Sequence, residues 1–271
     1  MLDQTFGRIF SIQWLVFAIL LIVLLGLSEF AWRMGFTHRR QGREKDKHES
    51  SVPSAVLALL GLLLGFSFAL AVSRNDARRD LVVQEANSIG ATARRARLLP
   101  EPQATNVMRL LREYVPLRIE AHREAQFSER FASLRKRNAE LHKRLWDEAV
   151  AAAARQPTAI TASFITSLNE TIDLEASRVA ARRNHVPGAV WLLLFCVAGW
   201  GVWLTSYEAA ATGRQSILER YLFPLLIVIV IALITDIDTP RGGLIALDER
   251  PLLELNDTLN ASPPTAPAQT E

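Results

Sequence analysis

Four apolar blocks constrain the fold of this 271-residue chain more than any other feature of its sequence. They cover residues 10–32, 52–73, 189–207 and 221–235. A bilayer core about 30 Å thick needs a helix of about 20 apolar residues, and the first three blocks meet that length. The fourth is shorter, so polar groups are expected close to it or inside it. The pattern predicts four transmembrane helices.

The segment between the second and third blocks has a different composition. Mean hydropathy is +0.13 although 22% of all residues are charged, because the polar residues are concentrated outside the apolar blocks. Ala, Leu, Arg and Glu dominate residues 74–186, and apolar residues recur there at helical spacing. Three amphipathic helices are predicted at about 103–125, 128–155 and 158–184.

The predicted fold is therefore all-α: a membrane protein with four transmembrane helices and a helical extramembrane domain inserted between the second and third. A first transmembrane hairpin covers 1–73, the helical domain 74–186, and a second hairpin with its C-terminal extension 187–260. Residues 261–271 have the composition of a disordered tail. By parity, both termini and the helical domain share one face of a cell membrane, and loops 33–51 and 208–217 share the other.

The second helix does not end where its apolar run ends. It reads GLLLGFSFALAVSRNDARRDLVVQEANSIG over residues 61–90. A stripe of small residues, with Gly61 and Gly65 at its centre, would let another helix approach closely. That helix could belong to the same chain or to another subunit, or the stripe could line a pore, and Ser67 lies on the side where the charges follow.

Arginines and carboxylates are predicted to meet at the membrane edge. Because the second and fourth helices run in the same direction, their polar ends emerge on the same face, and a carboxylate at a lipid boundary is costly unless it is paired. The predicted network consists of Arg74, Arg78, Arg79, Glu85, Asp236, Asp238 and Arg241. A solvated helix end and a cation site on the two aspartates are the alternatives, although two carboxylates are few for calcium.

The sequence gives no support for an enzyme. Glu29 is the acidic residue nearest the lipid, and its position late in the first membrane helix favours a carboxylate that snorkels to the interface over a functional group buried in the lipid. No nucleophile elbow, phosphate-binding loop or zinc motif is present. The single cysteine, Cys196, excludes an intramolecular disulfide and a thiolate metal site. No cofactor and no metal are predicted. The net charge of +3 is better explained by lipid headgroups or small anions than by nucleic acid.

Several motifs in order resemble the bacterial bestrophin-like family of four-helix membrane proteins. They are the run quoted above, SLNETIDLEASRVAARRNHVP before the third membrane helix, and DIDTPRGGLIALDERPL after the fourth, so the resemblance covers about residues 50–260. It implies kinship with bestrophins, which are oligomeric anion channels, and favours a cytoplasmic location for the termini and the helical domain. The acidic calcium clasp of animal bestrophins is not found.

Two functions follow from these observations. The first is an oligomeric anion channel in the lipid bilayer, with copies of the same chain and small anions as partners. The second is a non-conducting sensor or scaffold whose helical domain binds a partner protein. The second function predicts an exposed apolar stripe on the helix at 128–155 or on the helix at 158–184.

Overall fold

The computed structural model describes residues 2–40, 51–124, 128–213, 218–239 and 248–261. These ranges are almost entirely helical and contain no β-strand, which confirms the predicted all-α fold. In chain order the helices are α1 (Leu2–Arg40), α2 (Val52–Ala96), α3 (Gln103–Arg123), α4 (Glu129–Arg155), α5 (Ala159–Arg183), α6 (Gly188–Thr212), a π-helical turn (Leu218–Leu222), α7 (Phe223–Asp238) and α8 (Arg250–Ala261).

The chain forms two compact units. The membrane unit contains residues 1–75 and 185–246, and the helical unit contains residues 76–184 and 247–271. The boundaries expected from the sequence, 73/74 and 186/187, lie close to the first two of these divisions. Helix α8, which the sequence groups with the second hairpin, packs in the helical unit, where Leu252 and Leu259 are buried against α3.

Within the part of the chain that the structure describes, four helical segments are long and apolar enough to cross a membrane, as the sequence predicts. Helices α1 and α6 run parallel, since Gly199 lies against Leu27 and Tyr207 lies against Gly35, eight residues further along both helices. Helix α2 runs antiparallel to α6, because its Leu60 packs on Gly201 and its Ala71 packs near Val186. The core of this unit is aliphatic, built from Leu24, Leu60, Leu194, Ala198, Val202, Ile227, Val228 and Ile231.

The short fourth block is extended at both ends by polar turns. The π-helical turn begins at Leu218 and α7 ends at Asp238, so the continuous segment has 21 residues and a length of about 31 Å. That length matches a bilayer core of about 30 Å. The fourth span is long enough to cross the bilayer core because its helix includes polar residues at both ends, namely Arg220 at one end and Asp236 and Asp238 at the other.

The helical unit has its own core, in which α3 contributes more buried residues than α4 or α5. Tyr114, Leu145, Phe164 and Leu168 are fully buried there. Two helices of this unit have N-cap side chains that accept a hydrogen bond from the backbone. Ser128 accepts from the Phe131 N–H of α4, and Thr158 accepts from the Thr161 N–H of α5. Such caps satisfy backbone donors that the helix itself leaves without an acceptor.

Candidate functional site

The small-residue stripe of α2 faces away from the rest of the membrane unit. Its members are all exposed: Ser54, Ala58, Gly61, Gly65 and Ala69. A Cβ added at Gly61 or Gly65 would meet no atom of the described chain within 4 Å. The opposite side of α2 is covered, because Val56, Leu57 and Leu60 pack against Gly201 of α6. Among the described residues, no neighbour within the chain therefore packs against the two glycines of the stripe.

Ser67 lies apart from this open face. It is buried, whereas Gly61 and Gly65 are exposed. The three residues that the sequence groups as a pore or packing set thus divide into an open glycine pair and a buried hydroxyl.

At the end of α7, the Asp238 carboxylate contacts a backbone N–H group and a histidine side chain rather than the predicted arginines. The Val186 N–H donates to both of its carboxylate oxygens, at 3.1 and 3.3 Å. His185 Nδ1 lies 3.6 Å from Oδ2 of the same carboxylate. The reason is local, because α7 ends beside the turn that begins α6. Asp238 therefore satisfies a backbone donor just before that helix.

The other predicted members at this end are distributed differently. Asp236 is partly buried on the last turn of α7. Arg74 is partly buried, and its Nη1 finds no hydrogen-bond partner among the described residues. Arg78 is buried and Arg79 is exposed one residue later on α2. Arg241 lies outside the described residues.

Glu85 belongs to the interior of the helical unit, not to the membrane edge where the sequence analysis expects it. It lies twelve residues beyond Ser73 on α2, about 18 Å along the helix axis. Its side chain is 0% exposed. Arg118 of α3 donates from Nε to Oε1 at 2.6 Å, and Arg178 of α5 donates from Nη1 to Oε2. Three helices therefore meet at one carboxylate.

The ion pairs extend beyond Glu85 on both sides. Arg118 also donates from Nη1 to Glu175 Oε1 at 3.2 Å. Arg178 Nη2 lies 2.7 Å from His122 Nδ1, and because a guanidinium can only donate, Nδ1 is the acceptor and the ring proton is on Nε2. Burial lowers the pKa of Arg178 to about 9, so this arginine remains charged at neutral pH.

Arg182, in the last turn of α5, forms hydrogen bonds with the end of α3. It donates to the carbonyl oxygens of Ala121 and His122 at 3.0 and 3.4 Å, and its guanidinium lies 5.4 Å from the ring centroid of Phe131. Burial, with a smaller effect of Arg118, lowers the pKa of Arg182 to about 10. A cation at these carbonyls is favourable because a helix C-terminus carries partial negative charge.

Hydroxyl groups continue the polar contact between α2 and α5. Ser88 and Thr171 share a hydrogen bond of 2.9 Å, and Thr92 bonds both Thr171 Oγ1 and the Ser167 carbonyl oxygen. All four side chains are buried. Together with the Glu85–Arg178 ion pair, these hydrogen bonds make the contact between the two helices polar over about two turns of α2.

This arrangement positions helices and does not resemble a catalytic site. The cluster is made of arginines, carboxylates and hydroxyls that already bond one another, so no activated nucleophile is presented. In the ranges that the structure describes, no three His, Cys, Asp or Glu side chains come together as a metal site. One surface depression of about 420 Å³ lies beside Glu175, between Arg135 and Arg183.

A second group of charges lies in the membrane unit, where α1 and α6 end and α7 begins. Glu29 accepts hydrogen bonds from Arg220 and from Arg33 Nε, the latter at 2.9 Å. Ser28 bonds Ser206 Oγ and the Arg220 carbonyl oxygen, each at 2.8 Å. Glu29 is therefore an ion-pair partner within the unit.

Sequence reasoning missed the partners of both carboxylates. Arg118, His122, Arg178 and Arg220 are not among the predicted site residues. A signal existed for the first two, because Arg118 and His122 follow Leu111 and Val115 at helical spacing on the apolar side of α3. A cation on a buried helix face requires a buried partner.

The chain matches a family model and several solved structures. The model, described as the Bestrophin-like domain, matches residues 15–252. A bestrophin homologue from Klebsiella pneumoniae superposes with a TM-score of 0.63 at 15% identity, over 89% of this chain and 97% of that one. A variant of that homologue gives 0.66 at 16% identity, over 92% and 99%. No curated protein matches the chain.

A crystal structure described only as a membrane protein gives a TM-score of 0.68 at 16% identity, over 92% of this chain and 98% of that one. At such identities these structures establish a shared fold. The family model covers most of the chain, and the protein therefore belongs to the bestrophin-like family.

Proposed function

We propose that this membrane protein is one subunit of an oligomeric anion channel. Membership of the bestrophin-like family supports this function, because bestrophins are anion channels built from several copies of one chain. The four membrane-spanning helices of a single chain pack on one another around an aliphatic core. A conduit would therefore lie between subunits.

The observation that carries the proposal is the uncovered face of α2. A stripe of small side chains in lipid is suited to close approach by a second helix, or to leaving a passage unobstructed. The stripe is exposed along its whole length, and neither Gly61 nor Gly65 has a neighbour within 4 Å of an added Cβ among the described residues. A second copy of the chain is the partner that we assign to this face.

Arginines at the end of the membrane-spanning part of α2 support the choice of an anion. Arg74, Arg78 and Arg79 lie within two turns of one another after the apolar run ends at Ser73. Clustered positive charge raises the local concentration of anions and accelerates their entry. Arg79 is exposed and available for this role.

Chloride or iodide flux into liposomes containing the purified protein tests the proposal. Gly65→Leu is expected to abolish most of the flux, because a leucine side chain would project from the open face of α2. Gly26→Leu is the matched control, since Gly26 is also a membrane-helix glycine with open space around it, but it lies on α1. Arg79→Glu is expected to reduce the flux severalfold, and this reduction should shrink at high salt.

Three results would exclude a channel of this kind. They are flux no greater than that of empty liposomes, flux that is unchanged by Gly65→Leu, and equal loss in Gly65→Leu and Gly26→Leu. The oligomeric state should be measured in the same liposomes or in native membrane fragments. A monomer would also contradict the proposal.

The non-conducting alternative has one observation in its favour. Trp146 and Val150, one turn apart on α4, are 38% and 55% exposed. A large exposed apolar pair is a candidate contact for a partner protein. If Trp146→Ser together with Val150→Ser abolished recovery of a crosslinked partner while liposome flux was absent from the wild type, the scaffold would be the better description.

We further infer that both termini and the helical unit lie in the cytoplasm, as the family resemblance implies. Reporter fusions at residue 271 and within loop 41–50 test this orientation. A cytoplasmic reporter is expected to be active at the C-terminus and inactive in the loop. The opposite pattern would place the helical unit on the outer face.

A further inference from the structure

Two stacked aromatic rings hold two guanidinium groups at the end of the membrane unit where α1 ends. Trp32 and Phe36 lie parallel, with 5.3 Å between ring centroids and 10° between planes. The Arg220 guanidinium lies 4.1 Å from the Trp32 centroid, and that of Arg40 lies 4.6 Å from the Phe36 centroid. With Arg33, one residue after Trp32, these residues are termed the arginine–aromatic cluster.

The cluster carries more positive than negative charge. Among the residues that the structure describes, Glu29 is the carboxylate that bonds the cluster, and it is shared between Arg33 and Arg220. Arg40 is stacked on an aromatic ring, and the Arg33 side chain is 73% exposed. Over residues 29–50 and 208–220 the sequence contains eight Arg or Lys and six Asp or Glu, so the loops at this end do not cancel the excess.

The position of the cluster along α1 matches the polar layer of a bilayer. Arg33 follows directly after the apolar run, and Arg40 lies about 10 Å further along the helix axis. The headgroup regions add about 10 to 15 Å to a hydrocarbon core of about 30 Å, counted over both sides. The arginines therefore span the depth at which lipid phosphates lie.

Apolar side chains lie beside the cluster on the exposed part of α1. Phe30 and Met34 are both exposed, and neither is needed to fill the core of the unit. A free anion would gain nothing from them. An amphiphile would place its headgroup on the arginines and an acyl chain along these two residues.

We propose that the arginine–aromatic cluster binds the headgroup of an anionic phospholipid. Arginine suits a phosphodiester because its planar donors match two phosphate oxygens. The rings below Arg40 and Arg220 hold two of the guanidinium groups in place before the lipid arrives, which lowers the entropy cost of binding. A zwitterionic lipid carries a cation beside its phosphate and is disfavoured by the excess positive charge.

Lipid binding is measured by native mass spectrometry on the full-length protein in neutral detergent. The protein is titrated with phosphatidylglycerol or phosphatidylcholine of identical acyl chains. We expect phosphatidylglycerol to bind on the order of tenfold more tightly, since each basic residue near the headgroup layer contributes measurably to anionic lipid affinity. Arg33→Gln with Arg40→Gln is expected to remove that preference and to leave phosphatidylcholine binding unchanged.

Matched variants separate this site from a general effect of charge. Arg97→Gln with Arg137→Gln removes two exposed arginines from the helical unit and is expected to retain the preference. Phe36→Leu keeps every charge and removes the ring under Arg40, so a loss of several-fold is expected. It also serves as the test if the double arginine variant does not fold.

The proposal is overturned by equal affinity for the two lipids, or by equal losses in the two double variants. Phosphatidylglycerol affinity that is unchanged in Phe36→Leu would likewise overturn it, because the proposed site depends on the ring that packs under Arg40. Displacement of the lipid by inorganic phosphate at the same concentration would show that the cluster binds free anions rather than lipid.

Discussion

Arg118 donates from Nε to Oε1 of Glu85 at 2.6 Å, and both side chains are almost completely withdrawn from water. Arg178 bonds the other oxygen of the same carboxylate. Glu85 and Glu175 together balance the charges of Arg118 and Arg178, so removal of Glu85 leaves the two buried arginines with a single carboxylate. The stability of the helical unit therefore depends strongly on Glu85.

Glu85→Gln is expected to destabilise the protein by about 3 to 5 kcal/mol, the usual cost of removing one partner from a buried ion pair. For a chain of this size that corresponds to a fall in Tm of roughly 10 °C. Thermal unfolding in detergent measures it. Glu113→Gln is the control, because Glu113 pairs with Arg109 on the surface of α3 and contributes about 0.5 kcal/mol or less. Equal Tm values for the two variants would contradict the assigned role.

His142 is expected to make the stability of the helical unit depend on pH. Its Nε2 lies 3.1 Å from the Tyr114 hydroxyl, and burial lowers its pKa from 6.5, with opposing effects of Glu175 and Arg118. As the pH falls, the unfolded chain therefore takes up the proton before the folded chain does. The free energy of unfolding is constant above the unfolded pKa and decreases as the pH falls through 6.5 towards the lower folded value.

One proton limits the slope to about 1.4 kcal/mol per pH unit. Unfolding is followed between pH 5.5 and 8 for the wild type and for His142→Gln, and the variant is expected to have the flatter profile. If His142→Gln has the same dependence of unfolding free energy on pH as the wild type, another group is responsible for that dependence.

Gly35 is expected to tolerate no side chain. A Cβ at this position would lie 2.5 Å from the Tyr207 carbonyl oxygen and 3.0 Å from the Ala210 Cβ. Because neither atom lies at the flexible end of a side chain, Gly35→Ala must push α1 and α6 apart, at a cost of about 1 to 3 kcal/mol. Gly26→Ala, on the same helix but in open space, is expected to leave Tm unchanged or slightly higher. A similar Tm for both variants would show that the two helices adjust freely.

Arg220 and Arg33 are expected to differ in importance although they bond the same carboxylate. The Arg220 side chain is 21% exposed and stacks on Trp32, whereas Arg33 is largely in solvent. Arg220→Ala should cost about 1.5 to 3 kcal/mol, as expected for a partly buried charged hydrogen bond, and Arg33→Ala less than about 0.5 kcal/mol. Tm values in a lipid-free neutral detergent compare them. A larger loss for Arg33→Ala would reverse the assignment.

The sequence was sufficient for the elements and insufficient for the contacts between them. Apolar length predicts the spans, and the helices predicted at 103–125, 128–155 and 158–184 agree with α3, α4 and α5 within two residues. The two ends of the fourth span are harder to predict, because a π-helical turn precedes the apolar run and two aspartates continue the helix after it. Periodicity does not report such an extension.

Glu85 shows why the partners of the buried charges cannot be predicted from helical spacing. Its position on α2 was clear, but its partners come from α3 and α5, 33 and 93 residues away in sequence. Helical spacing shows which face of α2 is buried and not which helix covers it. For the same reason the sequence pairs the Asp238 carboxylate with arginines, whereas the Val186 N–H just before α6 is its donor in the structure.

The hydroxyl contacts between α2 and α5 have a consequence for how uniquely these helices pair. Short hydroxyl side chains contribute little net stability, since water would bond them equally well, but a shift of α5 by one turn would break the hydrogen bonds that Thr171 makes with Ser88 and Thr92. Replacing the two threonines by valine would preserve the shape of the interface and remove that penalty. The native alignment of α5 on α2 would then compete with alignments shifted by one turn. These hydroxyls therefore determine which alignment forms and contribute little to its stability.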